Sequence, residues 1–302
     1  MKFPNTPALR DGVGPSSVVL PLGPWPTVLD FLTERFPGVA RAQWLERMAS
    51  GAVSCDLGHT LASDAPYIAG LRVYYFRALP PEPKIPFDAV LLHQDAHLLV
   101  VDKPHFLPVI PSGKYLQETL LMRLKQALEV SDLVPIHRID RDTAGLVLFS
   151  LQAASRDAYS ALFRERRVEK SYEAVAGFNP ALAMPVRRES RIRVGAHFMQ
   201  QAEVPGPVNA ITDIDVLEVC GPWARYRLRP LSGQRHQLRV HMMALGLPIL
   251  NDGIYPQLTP EGSSDHTKPL QLLAKSLAFK DPVSGRHLTF ESQLRLLPLP
   301  SV

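Results

Sequence analysis

The chain has 302 residues, a formal net charge of +4, 46% hydrophobic residues and 21% charged residues. These proportions suit one large or two ordinary globular domains and argue against a disordered or fibrous protein. No apolar run approaches the roughly 18 residues of a membrane helix. Two cysteines, Cys55 and Cys220, without a Cys-x-x-Cys pair, argue against a disulfide scaffold, a zinc ribbon or a zinc deaminase.

The chain opens with Met1-Lys2-Phe3-Pro4-Asn5 and carries six prolines up to Pro26, so residues 1–26 are expected to form an irregular arm, not a secretory signal. A cytoplasmic protein is expected. Val28, Phe31, Leu32 and Phe36 recur at helical spacing over Thr27–Phe36, and Trp44, Leu45 and Met48 do so over Ala40–Met48, with Arg41 and Arg47 polar and Gly51 as the stop. Ala52–Cys55 and Leu71–Phe76 follow as strands. Four prolines in the eight residues Leu79–Pro86 make a stiff extended spacer. The expected organisation is therefore an arm (1–26), a small domain (27–79), a linker (80–86) and a larger domain (87–302).

Strand signals dominate beyond the linker. Leu98–Val101, Gly145–Phe149, Ser171–Ala176, Ile211–Val219 and Ala224–Leu231 all look like strands. Gln152–Arg166 places Ala154, Ala158, Ala161 and Leu162 on one helical face, and Leu238–Leu245 suits a short helix stopped by Gly246. Strands outnumber helices without alternating regularly with them. An α+β fold with a largely antiparallel sheet is therefore expected.

Two polar clusters stand out. His137-Arg138-Ile139-Asp140-Arg141-Asp142-Thr143-Ala144-Gly145 precedes an apolar strand. A carboxylate flanked by arginines stays ionised, because nearby positive charge lowers its pKa. It could then serve as nucleophile or general base, although an Arg- and Asp-rich loop more often knots itself together through salt bridges. The second cluster is Ser232-Gly233-Gln234-Arg235-His236-Gln237-Leu238-Arg239-Val240-His241. If it enters a helix, Arg235 and Arg239 share one face, as do Gln237 and His241. Its two histidines lack the intervening glutamate of a zincin, so no metal is expected. From Gly221 to Asn251 the chain carries Arg225, Arg227, Arg229, Arg235 and Arg239 without one Asp or Glu. Such a stripe, together with Arg164, Arg166, Arg167 and Lys170, is the footprint of a polyanion-binding face, although a solvated surface with distant acidic partners has the same composition.

Taken in order, these segments resemble the RluA-type family of RNA pseudouridine synthases over roughly Phe87–Ser292. Asp102-Lys103-Pro104 resembles the opening motif, His137–Leu146 the catalytic signature, and Lys170-Ser171-Tyr172 the lysine-x-tyrosine strand. Ser232–His241, Gly246–Ile249 and Asp252–Tyr255 resemble the third motif and its continuation, and Asp281–Gly285 the closing hairpin. The resemblance implies a pseudouridine synthase fold and a set of roles. Asp140 would be the catalytic aspartate. Tyr172 would stack on the target uracil and help a later proton transfer, and Arg239 would pair with Asp140. Arg138 would hold the gap left by the departing uridine, and Arg141, Lys170, Arg235, His236 and Gln237 would contact RNA. Gly233-Gln234-Arg235 stands where the family has Gly-Arg-Thr, so Arg235 is expected to supply the missing Arg contact. Asn251-Asp252 stands where it has Gly-Asp. Thr27–Phe76 resembles a small alpha-L RNA-binding domain, departing at Gly70-Leu71 and carrying no lysine.

The implied reaction isomerises uridine in a tRNA or large-subunit rRNA stem-loop. It moves no electrons and donates no group, so no cofactor is expected, and the protein is expected to work as a monomer. Two alternatives remain on sequence grounds: a noncatalytic RNA-binding protein on the same fold, and a glycosidase using Asp140 and Asp142 as paired carboxylates.

Overall fold

The computed structural model describes residues 5–8, 14–76, 82–113, 115–259 and 265–300. Pro80 and Pro81 of the expected spacer therefore lie outside the described residues. The chain divides into two compact units. The first comprises Met1–Pro83 with Gly113–Gln117, and the second Lys84–Ser112 with Glu118–Val302.

In the first unit, strands β1 (Ser16–Val19), β2 (Val53–Cys55) and β3 (Arg72–Tyr75) form an antiparallel sheet in the order β1-β3-β2, beside helices α1 (Val28–Arg35) and α2 (Arg41–Ala49). β1 corrects the expectation of a wholly irregular arm: Ser16–Val19 pairs along β3 from Tyr75 to Arg72. The Thr27 side chain caps α1 by accepting from the Asp30 backbone, which satisfies one of the helix's orphan N–H groups. The helix stripes Val28, Leu29, Phe31, Leu32, Trp44 and Met48 are buried together. Arg47, expected on the polar face, is buried with its guanidinium 4.8 Å from the Trp44 ring centre. Its aliphatic stem and cation–π contact let a charged residue occupy that face.

The second unit is built on one eleven-stranded sheet. Its strands are β4 (Val90–Gln94), β5 (Leu98–Lys103), β6 (Val134–Pro135), β7 (Ala144–Ser150), β8 (Glu169–Gly177), β9 (Val186–Val194), β10 (Gln201–Val204), β11 (Ala210–Cys220), β12 (Trp223–Pro230), β13 (Leu272–Lys280) and β14 (His287–Glu291). They run β10-β9-β11-β12-β8-β13-β7-β5-β4, with β14 beside β13 and β6 beside β7. Among the described residues every pairing is antiparallel except β13 with β7. The expected α+β class with a largely antiparallel sheet holds.

Helices α3 (Leu120–Leu128), α4 (Ala153–Arg164) and α5 (Gln237–Ala244) accompany the sheet. β5 and β7 are buried at every position, which is why their apolar runs are continuous instead of alternating. Leu98, Val100, Leu146 and Leu148 pack with Tyr159 and Leu162 of α4. Leu238 and Met242 of α5 pack on Ala174, Ile214, Tyr226 and Leu228 of β8, β11 and β12. The two helices thus cover different parts of the sheet, α4 over β5 and β7 and α5 over β8, β11 and β12, while β13 joins β7 to β8. No helix among the described residues is long and apolar enough to cross a membrane.

Candidate active site

Asp140 sits in the loop between β6 and β7, where the chain enters the buried heart of the sheet. Its side chain is 28% exposed. The arginine that reaches it is not a sequence neighbour. Arg239 of α5, only 2% exposed, donates from Nη1 to Asp140 Oδ2 at 3.1 Å. Arg141 instead turns its Nε to Asp142 Oδ1 at 2.8 Å, and Arg138 is exposed. The local Arg-flanked carboxylate expected from sequence is therefore replaced by a contact spanning 99 residues. Burial pushes the Asp140 carboxyl up, but the charge of Arg239, the Arg239 hydrogen bond and the charge of Arg235 outweigh it and hold the group below the usual carboxylate range. Asp140 is thus an ionised, partly exposed carboxylate at neutral pH. Asp142 is tied to Arg141, which leaves no pair of free carboxylates of the kind a glycosidase needs.

The opening motif holds this loop in place. Lys103 is fully buried at the end of β5, and its Nζ donates to the carbonyls of Pro104 and Arg141. Burial lowers its pKa to about 7 against the opposing pull of Asp142 and Asp140. His105 Nδ1 contacts the Asp142 carbonyl at 2.6 Å. Asp102, on the same strand, accepts from the Ser292 hydroxyl and the Gln293 amide. This motif thus anchors both the Asp140 loop and the C-terminal segment, a role that sequence reasoning did not assign.

Tyr172 lies on β8, registered with Leu228 of β12 and Ala274 of β13. Burial and then the Asp140 charge push its hydroxyl well above the usual tyrosine range, so it stays protonated. The strand beside it on this side, β13, is also the strand that meets the start of β7 through Leu273–Ala144 and Ala274–Gly145. A tyrosine ring, a carboxylate and a buried guanidinium are thereby brought together from three distant segments.

The remaining candidates divide by what they touch. The helix begins at Gln237, with His236 as its cap at φ 56°, so Arg235 lies outside α5 and shares no helical face with Arg239. Arg235 is exposed and donates weakly to the Phe198 and Met199 carbonyls. Gln237 is buried and its amide is fully engaged within the protein. Oε1 accepts from the Ser232 hydroxyl and the Gln234 amide, while Nε2 donates to Ile211 O and Thr212 Oγ1. With all four bonding positions filled it fastens α5 to β11 and has nothing left for RNA. Lys170 Nζ donates to the Ser232 carbonyl, and burial lowers its pKa to about 8. His236 is buried too, with Nδ1 on the Tyr255 hydroxyl at 3.0 Å and Nε2 3.9 Å from Asp140 Oδ1. Burial holds it neutral, with a pKa of about 4.

The arginine stripe does not survive as a bare cationic face. Arg225, Arg227 and Arg229 do project from one face of β12, since positions between them are buried. Neighbouring strands supply the missing carboxylates: Glu173 and Glu218 reach Arg225, and Asp215 reaches Arg229. Strand pairing across the β11–β12 hairpin and from β8 brings acids beside these bases, a pairing that depends on register and not on composition. Asn251 also has its explanation. It sits at φ 62°, a region that glycine and then asparagine tolerate best, and its side chain donates to the Pro269 carbonyl.

The family profile described as RNA pseudouridylate synthase matches residues 97–244. An uncharacterized RNA pseudouridine synthase of Synechocystis is 31% identical over 76% of this chain and 79% of its own length. The dual-specificity RNA pseudouridine synthase RluA of Salmonella typhi is 32% identical over 70% of this chain and 94% of its own. Among solved structures, human RNA pseudouridylate synthase domain containing 1 shares the fold, with a TM-score of 0.57 at 22% identity over 70% of this chain and 86% of that one.

Proposed function

The chain belongs to the RluA-type family of RNA pseudouridine synthases, isomerases that act on uridine in RNA, and on that premise we propose that it converts uridine in a tRNA or large-subunit rRNA stem-loop to pseudouridine with Asp140 as the catalytic carboxylate. The observation that carries the assignment of Asp140 is its contact with the buried Arg239 guanidinium. A carboxylate meant to act on a ribose must stay charged in a site that excludes water, and a buried counter-charge keeps it ionised there.

The reaction breaks the N1–C1′ glycosidic bond, turns the freed uracil and joins C5 to C1′. Asp140 would add to the sugar or take a proton from it. The Tyr172 ring would hold the detached base, since stacking tolerates rotation where directional hydrogen bonds would not. The target base must leave its own stack, which is least costly in an unpaired loop. Arg138, exposed and two residues before Asp140 in sequence, would contact the vacated helix, while Gln237 and Lys170 spend their hydrogen bonds within the protein. The relative from Salmonella typhi is named a dual-specificity enzyme, so both RNA classes belong in the assay.

Asp140→Asn tests the assignment through tritium release from RNA labelled at uridine C5. Release should cease while RNA binding persists, and Asp142→Asn should be much milder. Turnover of Asp140→Asn within about tenfold of wild type, roughly 1.4 kcal/mol of barrier, would overturn the role.

A further inference from the structure

Arg239 serves two carboxylates, and it serves them unequally. Its Nε donates to Asp252 Oδ2 at 2.8 Å and its Nη2 to Asp252 Oδ1 at 2.6 Å, a side-on fork. Only Nη1 is left for Asp140, and it meets Oδ2 alone. Asp252 is 1% exposed and is itself held rigidly, because Oδ1 also accepts from the backbone amides of Ile254 and Tyr255. The Tyr255 ring lies 5.4 Å from the Arg239 guanidinium, and its hydroxyl bonds His236. The groups facing Asp140 are thus Arg239 and His236 from the α5 end of the third motif, with Arg235 contributing charge, together with Lys103 from β5, Tyr172 from β8 and Tyr255, all of which feel the Asp140 charge.

A guanidinium prefers a two-pronged match to a carboxylate over a single end-on contact. Left with one carboxylate partner, Arg239 would offer Asp140 that fork and engage both of its oxygens. Asp140 would then be more strongly stabilised as an anion and a poorer base and nucleophile. We propose that Asp252 is a positioning residue for the isomerisation: it occupies the forked edge of Arg239 and so restricts Asp140 to one hydrogen bond, leaving Asp140 Oδ1 outside the ion pair for the substrate. The inference rests on Asp140 being the catalytic carboxylate. Asp252 touches no substrate in this scheme and acts through Arg239.

The experiment compares Asp252→Asn and Asp252→Glu with wild type and Asp140→Asn in single-turnover pseudouridine formation on a uridine-containing stem-loop. The pH profile, RNA affinity and thermal melt are recorded for each. Asp252→Asn removes the charge while keeping the shape. Its rate should fall at least about tenfold, the scale expected when a reacting group is misplaced, and the acid limb of the profile should move to lower pH. RNA affinity should stay within about twofold, since the missing interaction is not one the RNA makes. Asp252→Glu keeps the charge and should return the limb to its wild-type position. A wild-type rate and limb in Asp252→Asn, or a slower rate with an unmoved limb, would overturn the proposal; the latter would mark Asp252 as merely structural. Should Asp252→Asn not fold, Asp252→Glu decides: displacing the fork by one methylene should slow the rate at least about threefold with the limb in place, and a wild-type rate would refute the idea. Activity surviving in Asp140→Asn would instead discredit the catalytic assignment and leave these outcomes distinguishable from it.

Discussion

Gly145, the second residue of β7 just beyond the Asp140 loop, sits at φ 108°, a conformation that side chains rarely adopt. Replacing it with alanine would build a Cβ 2.3 Å from the Ala274 carbonyl oxygen and 2.7 Å from the Ala274 amide nitrogen. Both atoms are backbone of β13, so no side chain can rotate away, and the β7–β13 pairing at this point must open. The forced φ costs about 1–3 kcal/mol, and the overpacking a further 1–3 kcal/mol or so. For a unit of this size each kcal/mol lowers the melting temperature by about 2–4 °C, so Gly145→Ala should melt at least roughly 5 °C below wild type. Because β7 carries the loop that presents Asp140, its rate should fall about a hundredfold even where the protein is still folded. Gly233→Ala is the matched control. Its added Cβ meets no atom within 4 Å, and its stability should stay within about 0.5 kcal/mol of wild type. Differential scanning calorimetry and tritium release read the two effects separately. A Gly145→Ala protein melting within about 2 °C of wild type would show that β13 yields at this contact and would refute the reasoning.

Two further outcomes follow from charge. Since Arg229 is already paired with Asp215, Arg229→Ala should leave the salt dependence of RNA binding unchanged, whereas Arg138→Ala should flatten the slope of log K against log salt by about 0.7. Equal flattening in both would restore the β12 stripe as the binding face. Acid should also weaken the fold. His137, His236 and His241 are kept neutral by burial, with pKa values lowered from 6.5 to about 3, 4 and 4. The unfolded chain binds protons at these positions as pH drops through 6.5 while the folded chain does not, so their contribution is whole above 6.5 and drains away toward pH 4. Urea unfolding at pH 7, 5.5 and 4.5 measures this, and a stability flat across that range would contradict it.

Much of the scaffold is legible in the linear chain, for local reasons. α1 and α2 show their buried stripes at helical spacing, and β5 and β7 show themselves as unbroken apolar runs because both their faces are covered. β9 escapes such reading. Five of its nine residues are charged, and it is a strand because β10 and β11 pair with it, not because Val-Arg-Arg-Glu-Ser prefers extension. β1 is a short run, Ser16-Ser17-Val18-Val19, inside a proline-rich stretch, and it is held as a strand by its pairing with β3.

The residue types of the site, Asp140, Tyr172 and Arg239 within their motifs, stand in the sequence by themselves, and so does the family they point to. The resemblance to that family implies the Arg239–Asp140 pairing as well, but not the partners that the other charged and polar groups take. Whether an arginine stabilises a carboxylate depends on distance in space, and Coulomb interactions pay no heed to chain separation. Arg141, one residue from Asp140, turns to Asp142, while Arg239 arrives from α5 and is shared with Asp252 across a turn. Gln237 looks like an RNA contact until β11 is laid beside it: Ile211 and Thr212 of that strand take its amide hydrogens, while Ser232 and Gln234 fill its oxygen. Sequence determines which groups are available and which segments become strands or helices. Only tertiary structure decides which charges meet, because burial and strand register select partners from segments dozens of residues apart.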